Sequence, residues 1–221
     1  MTGDAALFAT IRERLFTAVL GDVMDVAGLT RQFLPPHLRA LDDSLMLVGR
    51  AMPLIEADIA EDEPPQPPFG LMFQALDDLK PGEVYVCSGS KGAYALWGEL
   101  MSTRAQKLGA TGAVVDGFHR DTRGIRRLGF PVFSAGAYAQ DQRPRGRVVD
   151  FRTRVTFGNG AVVEPGDLIV GDIDGVLVVP AAHVGDIIAA ALEKAGAEKQ
   201  VERLIEQGEA TVSIFDRTGI M

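Results

Sequence analysis

The chain has 221 residues, of which 47% are hydrophobic and 24% are charged, so it is long and apolar enough to build one sizeable hydrophobic core. Its formal net charge of -8 disfavours nucleic acids and anionic membrane surfaces as partners. A single cysteine excludes an intrachain disulfide, and the lack of a long apolar run or a signal-peptide pattern predicts a cytoplasmic protein.

The first two thirds of the chain alternate between helical and strand patterns. Leu7, Ile11 and Leu15 have helical spacing within 5–20, and Asp4 is a candidate N-cap for that helix. We predict strands at 45–55, 83–88, 112–116 and 131–134, and helices at 93–108 and 122–128. Four prolines within 61–70 indicate a surface loop. The alternation favours parallel strands joined by helices, and therefore an α/β architecture.

The last third of the chain is rich in short strands. We predict them at 147–157, 161–163, 168–172 and 176–180, separated by Gly-Asn-Gly, Pro-Gly and Asp-Gly turns. A helix over 184–207 is expected to end at Gly208. The pattern as a whole predicts a single domain over 1–221, in which a parallel half closes against a β-rich half with helices at both ends.

Two glycine- and charge-rich segments follow predicted strands. The loop Ser88–Gly92 is either an anion cradle made of backbone amides or a plain turn. Arg120 and Asp121 follow the strand at 112–116, where ligands of open α/β sheets bind. Arginine can grip a carboxylate and aspartate can hold a divalent cation, although the local pattern alone favours a surface salt bridge. The adjacent His119 is a candidate pocket residue and a weak candidate for a general base.

Other polar residues have simpler interpretations. Asp167, Asp172 and Asp174 lie in turn sequences, which favours turn chemistry over a metal site. The three histidines have no zinc-ligand spacing. Cys87 lies in an apolar run and is expected to be a buried, unreactive thiol.

Six segments in a fixed order make the sequence recognisable. They are VGRA at 48–51, PGEVYV at 81–86, WGELMSTRA at 97–105, GAVVDGFHRD at 112–121, PVFSAG at 131–136 and VVEPGDLIVGDIDGVLVVP at 162–180. Together they resemble the RraA-like family, which includes the metal-dependent class II 4-hydroxy-4-methyl-2-oxoglutarate and 4-carboxy-4-hydroxy-2-oxoadipate aldolases. The resemblance implies a swivelling β/β/α domain similar to the phosphohistidine domain. It also implies a homotrimer or a hexamer with a site at the subunit boundary.

The resemblance also implies site residues. The family's catalytic motif is an acidic residue, twenty intervening residues and then Arg-Asp, which Glu99, Arg120 and Asp121 match. Glu99 stands where the aldolases have aspartate. The segment Gly98–Met101 corresponds to the pyruvate-binding loop. Its backbone amides, those of Glu99, Leu100 and Met101, are expected to hold the substrate.

A further acidic residue in such enzymes comes from the C-terminal helix of the neighbouring subunit. In this chain that helix spans 184–208, and Glu198 is the first candidate, with Glu202 the next. A solvated helix face is an equally good interpretation of both.

Chemistry next to a 2-oxo acid leaves negative charge on an enolate oxygen, which a Schiff-base lysine or a divalent cation can stabilise. Of five lysines only Lys91 lies near a candidate site, on a loop too exposed for a Schiff base. We therefore expect Asp121 to hold Mg²⁺ or Mn²⁺, Arg120 to grip the substrate and stabilise the enolate, and Glu99 to orient or deprotonate a water that carries the proton. The enzyme would cleave 4-hydroxy-2-oxo acids as a carbon–carbon lyase and also decarboxylate oxaloacetate.

Two other functions are open to the same fold. Some RraA proteins bind and inhibit an RNA-degrading endonuclease, so a non-catalytic regulator is the main alternative. A phosphohistidine carrier is a third interpretation, but the chain lacks a suitable histidine on a glycine-rich loop. The aldol substrate itself is not evident, and residues 56–74 are the region expected to select it.

Overall fold

A computed structural model describes residues 2–60, 62–64 and 67–220. The helices are α1 (Thr2–Arg14), α2 (Thr17–Val26), α3 (Met72–Asp77), α4 (Glu99–Lys107), α5 (Thr122–Leu128), α6 (Val184–Glu206) and α7 (Thr211–Thr218). The strands are β1 (Arg39–Ala40), β2 (Leu47–Asp58), β3 (Phe69–Gly70), β4 (Glu83–Ser88), β5 (Ala95–Trp97), β6 (Gly112–Val115), β7 (Phe118–His119), β8 (Val132–Ser134), β9 (Gly146–Phe151), β10 (Val155–Thr156), β11 (Val162–Val163), β12 (Leu168–Asp172) and β13 (Gly175–Val179).

One mixed sheet organises the described part of the chain. Its strand order is β1-β8-β6-β4-β2-β12-β13, and β9 pairs with both β2 and β3. Strands β2, β4, β6 and β8 run parallel because α3, α4 and α5 carry the chain back between them. Strands β12 and β13 join antiparallel to the same sheet. The predicted α/β domain with helices at both ends is therefore confirmed.

The sequence pattern predicted a separate β-rich half, but the described residues do not form one, because β12 and β13 join the main sheet. The strand predicted at 147–157 breaks at Arg152, whose backbone is left-handed at a φ of 55°. The guanidinium of Arg152 bonds with the carboxylates of Asp78 and Glu83, which holds this bend. Beyond it, β10 and β11 form a small separate hairpin.

The predicted helix over 5–20 is also interrupted. Phe16 is extended between α1 and α2, with a φ of -144°. The side chain of Asp172 accepts hydrogen bonds from the Thr17 amide and hydroxyl, both at 2.7 Å, and so caps α2. Asp4 lies inside the first turn of α1 and pairs with Arg50. A long-range cap therefore decides where the second helix begins.

The prediction of a helix over 93–108 is wrong about where that helix begins. Residues 95–97 form β5, and the chain becomes helical only at Glu99. The Ala95 amide donates to the Gln140 carbonyl at 2.8 Å, and β5 pairs with β7. The apolar run of Leu96 and Trp97 suits a buried strand as well as a helix, so tertiary pairing decided between them.

The core lies on both faces of the sheet. Trp97 is buried between Tyr85 and Phe130, with ring centroids 4.8 and 6.1 Å away. Cys87 is buried as expected, and burial raises the pKa of its thiol well above the usual value.

Helix α6 ends before Gly208 as predicted, and its first half packs on α1 and α2 of its own chain. The short helix α7 was not predicted.

None of the helices in the described residues has the length and apolarity that crossing a membrane requires.

Candidate functional site

Strands β5 and β7 bring the predicted site residues to one place. They run parallel with Trp97 beside His119, so the residues that follow each strand leave at the same edge. The Arg120 amide donates to the Trp97 carbonyl at 2.9 Å, which ties the two exits together. Isolated bridges from Ala95 to Asp141 and from His119 to Ala137 add a third segment, 137–141.

A cleft of about 200 Å³ opens where these segments meet. Its charged lining residues are Arg120, Asp121 and Asp141, and Gly98, Leu100 and Met101 contribute from the start of α4. The structure therefore brings the Arg-Asp pair and the segment 98–101 into one concave site, as the sequence predicted.

Arg120 lies between the two carboxylates of the cleft. Its Nε is 3.7 Å from Asp121 Oδ2, and its Nη1 is 3.7 Å from Asp141 Oδ1. Both distances exceed hydrogen-bonding range, so these carboxylates orient the guanidinium electrostatically without using its N–H groups. Those donors remain available for a bidentate grip on a substrate carboxylate.

Asp121 is held in a left-handed backbone conformation at the start of α5, with φ 60° and ψ 34°. The Glu99 amide donates to its Oδ2 at 3.3 Å. A Cβ on Gly98 would lie 2.7 Å from the same oxygen, so only glycine allows this approach. Left-handed aspartate is uncommon and is often found at functional sites. The conformation aims the Asp121 carboxylate at the start of α4.

The N-terminus of α4 is a second feature suited to an anion. The helical hydrogen bonds begin with the Ser102 amide donating to the Gly98 carbonyl at 3.0 Å. The amides of Leu100 and Met101 therefore lie outside the helical ladder, at the positive end of the helix dipole. Both residues line the cleft, which is the placement expected for a substrate-binding loop.

Glu99 is placed differently from the expectation. Its carboxylate forms an ion pair with Arg127 at 2.5 Å and packs on Gly124, where an added Cβ would lie 2.1 Å from Glu99 Cδ. The side chain is not part of the cleft lining. Its backbone contacts Asp121, but its carboxylate is not brought beside Arg120, so a direct proton-transfer role is not supported by this arrangement.

Two polar residues of the cleft were missed in the sequence. Asp141 and Gln142 lie in the loop after β8, beyond the last residue of the recognised PVFSAG segment. The available signal was their position after the carboxyl end of a parallel strand, the rule that drew attention to Arg120. Gln142 is buried and its side-chain amide donates to the Met72 sulfur at 3.1 Å.

His119 supports the site from behind rather than lining it. It is buried, and its Nδ1 and Nε2 hydrogen-bond with Ser134 Oγ at 2.7 Å and Thr122 Oγ1 at 3.1 Å. Burial, and to a lesser extent the charge of Arg126, lowers the pKa of His119. With both ring nitrogens engaged, His119 is poorly placed to act as a general base.

The glycine loop at 88–92 does not offer its amides to a ligand. The carboxylate of Asp58 accepts hydrogen bonds from the amides of Lys91 and Gly92 at 3.0 and 3.2 Å and from Ser90 Oγ at 2.9 Å. An anion cradle does form there, but a carboxylate of the protein itself fills it.

The remaining predicted residues lie elsewhere. Asp172 and Asp167 accept backbone hydrogen bonds at turns and helix starts, in agreement with the turn interpretation. Glu198 pairs with Lys194 at 2.7 Å on α6, and neither Glu198 nor Glu202 lines the cleft. Their role in a neighbouring subunit stays a prediction.

A divalent cation fits the donor chemistry around Asp121. No cluster of three or more histidine, cysteine or acidic side chains occurs among the residues that the structure describes. Mg²⁺ is commonly held by one or two carboxylates and several waters. The side chain of Asp121 is 42% exposed, so it can offer one hard oxygen ligand while leaving room for water.

Comparison with known proteins places this geometry in context. The protein named "Putative 4-hydroxy-4-methyl-2-oxoglutarate aldolase" from Halalkalibacterium halodurans is 29% identical over 210 residues, covering 94% of this chain and 93% of its own. The crystal structure of RraAS2 from Streptomyces coelicolor, described as an unusual member of the RNase ES inhibitor RraA protein family, superposes with a TM-score of 0.75. It is 26% identical and covers 86% of this chain and 92% of its own.

An uncharacterised protein from Pseudomonas syringae pv. tomato has the same fold, with a TM-score of 0.80 at 24% identity, over 93% of this chain and 94% of its own. The family pattern of RraA-like proteins, described as Aldolase/RraA, matches residues 17–178, well over half of the chain. The chain, whose cleft lies at β5 and β7, therefore belongs to the RraA-like (Aldolase/RraA) family.

Proposed function

We propose that this protein is a class II, divalent-metal-dependent aldolase that cleaves 4-hydroxy-2-oxo acids to pyruvate and a carbonyl compound. The observation that carries the proposal is the convergence of Arg120, Asp121 and the free amides of α4 on one cleft. Relatives named as aldolases support the same chemistry.

Cleavage breaks the C3–C4 bond of the substrate. The C4 hydroxyl loses its proton to a base, C4 becomes a carbonyl, and the bond's electron pair moves through C3 to the C2 oxygen as an enolate. Protonation of C3 then releases pyruvate. The protein must therefore bind the 2-oxo acid, stabilise charge at the C2 oxygen and accept one proton.

Binding and charge stabilisation fall to the residues around Arg120. The N–H groups of Arg120 and the amides of Leu100 and Met101 are donors for the substrate carboxylate and for the developing oxyanion. Mg²⁺ or Mn²⁺ at Asp121 would supply Lewis-acid polarisation of the 2-oxo group. The same enolate would arise from decarboxylation of oxaloacetate, a slower reaction here because its second carboxylate has no cationic partner of its own in the described cleft lining.

Asp141 is better placed than Glu99 to take the proton. Asp141 lines the cleft and lies 3.7 Å from Arg120, whereas the Glu99 carboxylate is engaged by Arg127. Geometry precedes acidity in assigning a general base. Asp141→Asn should therefore lower kcat more than Glu99→Gln does. A larger loss of kcat in Glu99→Gln would instead identify Glu99 as the general base.

The central test is metal-dependent release of pyruvate from a set of 4-hydroxy-2-oxo acids, together with exchange of the C3 protons of pyruvate in deuterated water. Arg120→Ala should lower kcat about 10²–10³-fold, the scale of one lost oxyanion donor. The matched control is Arg123→Ala, which removes the same charge from an exposed position on α5. No turnover and no exchange with any divalent metal would refute the proposal and favour the regulator.

Oligomeric state remains part of the proposal. A homotrimer or a hexamer would let Glu198 of α6 act at a subunit boundary. Sedimentation of the purified protein tests the assembly, and Glu198→Gln tests the residue. An active monomer would exclude a neighbouring-subunit role.

A further inference from the structure

The remainder of the cleft wall is apolar and aromatic. Phe69 from β3 and Met72 and Phe73 from α3 line it, together with Leu100 and Met101. Phe69 and Phe73 meet edge to face, with ring centroids 5.4 Å apart. Phe73 and Leu100 are 54% and 84% exposed, so large apolar surface lies open at this site. Such surface next to polar groups is typical of a place where a ligand is covered.

The cleft lining offers few charged groups for a substrate. The described lining holds one guanidinium, Arg120, and two carboxylates, Asp121 and Asp141. One substrate carboxylate can be matched by Arg120, the α4 amides and a cation at Asp121. A second carboxylate, on the C4 side of the substrate, would meet the apolar wall and two negative side chains. Placing a charge against this apolar wall without a cationic partner is less favourable than placing an apolar group of the same shape there.

Among the described residues, three further cations lie near the cleft lining. Arg145 Nη1 donates to the backbone carbonyl of Asp141 at 2.9 Å, Arg147 pairs with Glu63, and neither lines the cleft. The guanidinium carbon of Arg143 is 5.9 Å from the ring centroid of Phe69. Arg143 is outside the cleft lining, and its guanidinium is engaged at the Phe69 ring. A cation held on an aromatic face is already partly satisfied.

We propose that this site selects 4-hydroxy-2-oxo acids whose C4 substituent is apolar, a branched alkyl or aryl group, over those that carry a second carboxylate. The inference rests on the aldolase function proposed above and names its substrate class. The products would be pyruvate and an apolar aldehyde or ketone, whose side chain contacts Phe69, Met72 and Phe73.

The test uses two substrates that differ only in the C4 group. In 4-hydroxy-5-methyl-2-oxohexanoate that group is isopropyl, and in 4-hydroxy-2-oxoglutarate it is a carboxylate of similar shape. We expect kcat/KM for pyruvate release to favour the isopropyl substrate by at least about tenfold, the scale of discrimination by a well-formed pocket. Equal values, or a preference for the diacid, would overturn the proposal.

A pair of variants locates the preference in the wall. Phe73→Arg places a cation at the exposed edge of the cleft and should shift the ratio at least about tenfold towards the diacid. Phe73→Leu, the matched control, keeps the wall apolar and should retain the preference. An unchanged ratio in Phe73→Arg, with folding verified by circular dichroism, would argue against this wall as the selector. A diacid preference that Arg143→Ala abolishes would also overturn the proposal and identify Arg143 as the second cation.

Exchange of the pyruvate C3 protons separates the two proposals, because it needs the enolate but no C4 substituent. Exchange without preference for the isopropyl substrate would refute the substrate class alone. Absence of exchange and of pyruvate release would refute the aldolase function itself.

Discussion

Glu56 allows a quantitative prediction about stability and pH. It lies on β2, is only 2% exposed, and is two residues from Asp58 on the same strand. Burial, and then the charge of Asp58, raises the pKa of Glu56 from 4.5 to about 8, against the opposing influence of Arg147. The folded protein therefore holds this proton at neutral pH, whereas the unfolded chain has released it.

The sign and size of the effect follow from proton linkage. Between pH 4.5 and about 8 the folded state binds one proton more than the unfolded state, so stability falls as pH rises. The slope is about 1.4 kcal/mol per pH unit, which gives roughly 5 kcal/mol over the whole window as an upper bound. The contribution is fully present below pH 4.5 and is lost above about 8.

Urea unfolding at pH 5, 6.5 and 8 measures this dependence. Glu56→Gln keeps the shape of the neutral acid but cannot ionise, so the free energy of unfolding should vary much less with pH than in the wild type. Glu13→Gln, at an exposed position of α1, is the matched control and should keep the wild-type slope. A Glu56→Gln variant with an unchanged slope would refute the assignment of this pH dependence to the buried carboxyl.

Three further variants test the architecture of the site. Gly98→Ala puts a Cβ 2.7 Å from Asp121 Oδ2 and should displace that carboxylate, lowering apparent Mg²⁺ affinity in pyruvate release at least about tenfold; wild-type metal dependence would contradict this. Gly124→Ala should displace the Glu99 carboxylate and give the same kcat as Glu99→Gln, with a free energy of unfolding within about 1 kcal/mol of the wild type. A wild-type kcat in only one of the two variants would show that Gly124 does not act through Glu99. His119→Phe removes its hydrogen bonds to the buried hydroxyl of Ser134 and the partly buried hydroxyl of Thr122, and should cost about 1–3 kcal/mol in urea unfolding; no loss would show that His119 does not support the loop.

Local patterns predicted much of the secondary structure correctly. Strand β4 at 83–88 and helix α5 at 122–128 were predicted with the bounds that the structure has, because their apolar period and flanking turns agree. The beginning of α4 was wrong, since Leu96 and Trp97 suit a helix and a buried strand equally. Only the pairing with β7 distinguishes the two.

The site was predictable in its chain positions but not in its side-chain directions. The family resemblance indicated Arg120, Asp121 and the segment 98–101, and of these residues all except Glu99 line one cleft. Glu99 satisfied the same spacing, yet its carboxylate turns to Arg127 because Gly124 leaves room for it there. Asp141 was missed because its position after a parallel strand indicates the edge of the sheet at which it lies but not where along that edge its loop folds back.

The sequence by itself determined the α/β class through its periodicity. Its resemblance to the RraA-like family, carried by residue types at set spacings, indicated Arg120 and Asp121 as the place where chemistry is expected. Tertiary structure alone decided which carboxylate shares the cleft with Arg120, what fills the glycine loop at 88–92, and that an aromatic wall borders the charged groups. These outcomes depend on segments distant in the chain meeting in space, with burial and close approach selecting one arrangement of side chains among several that the local sequence allows.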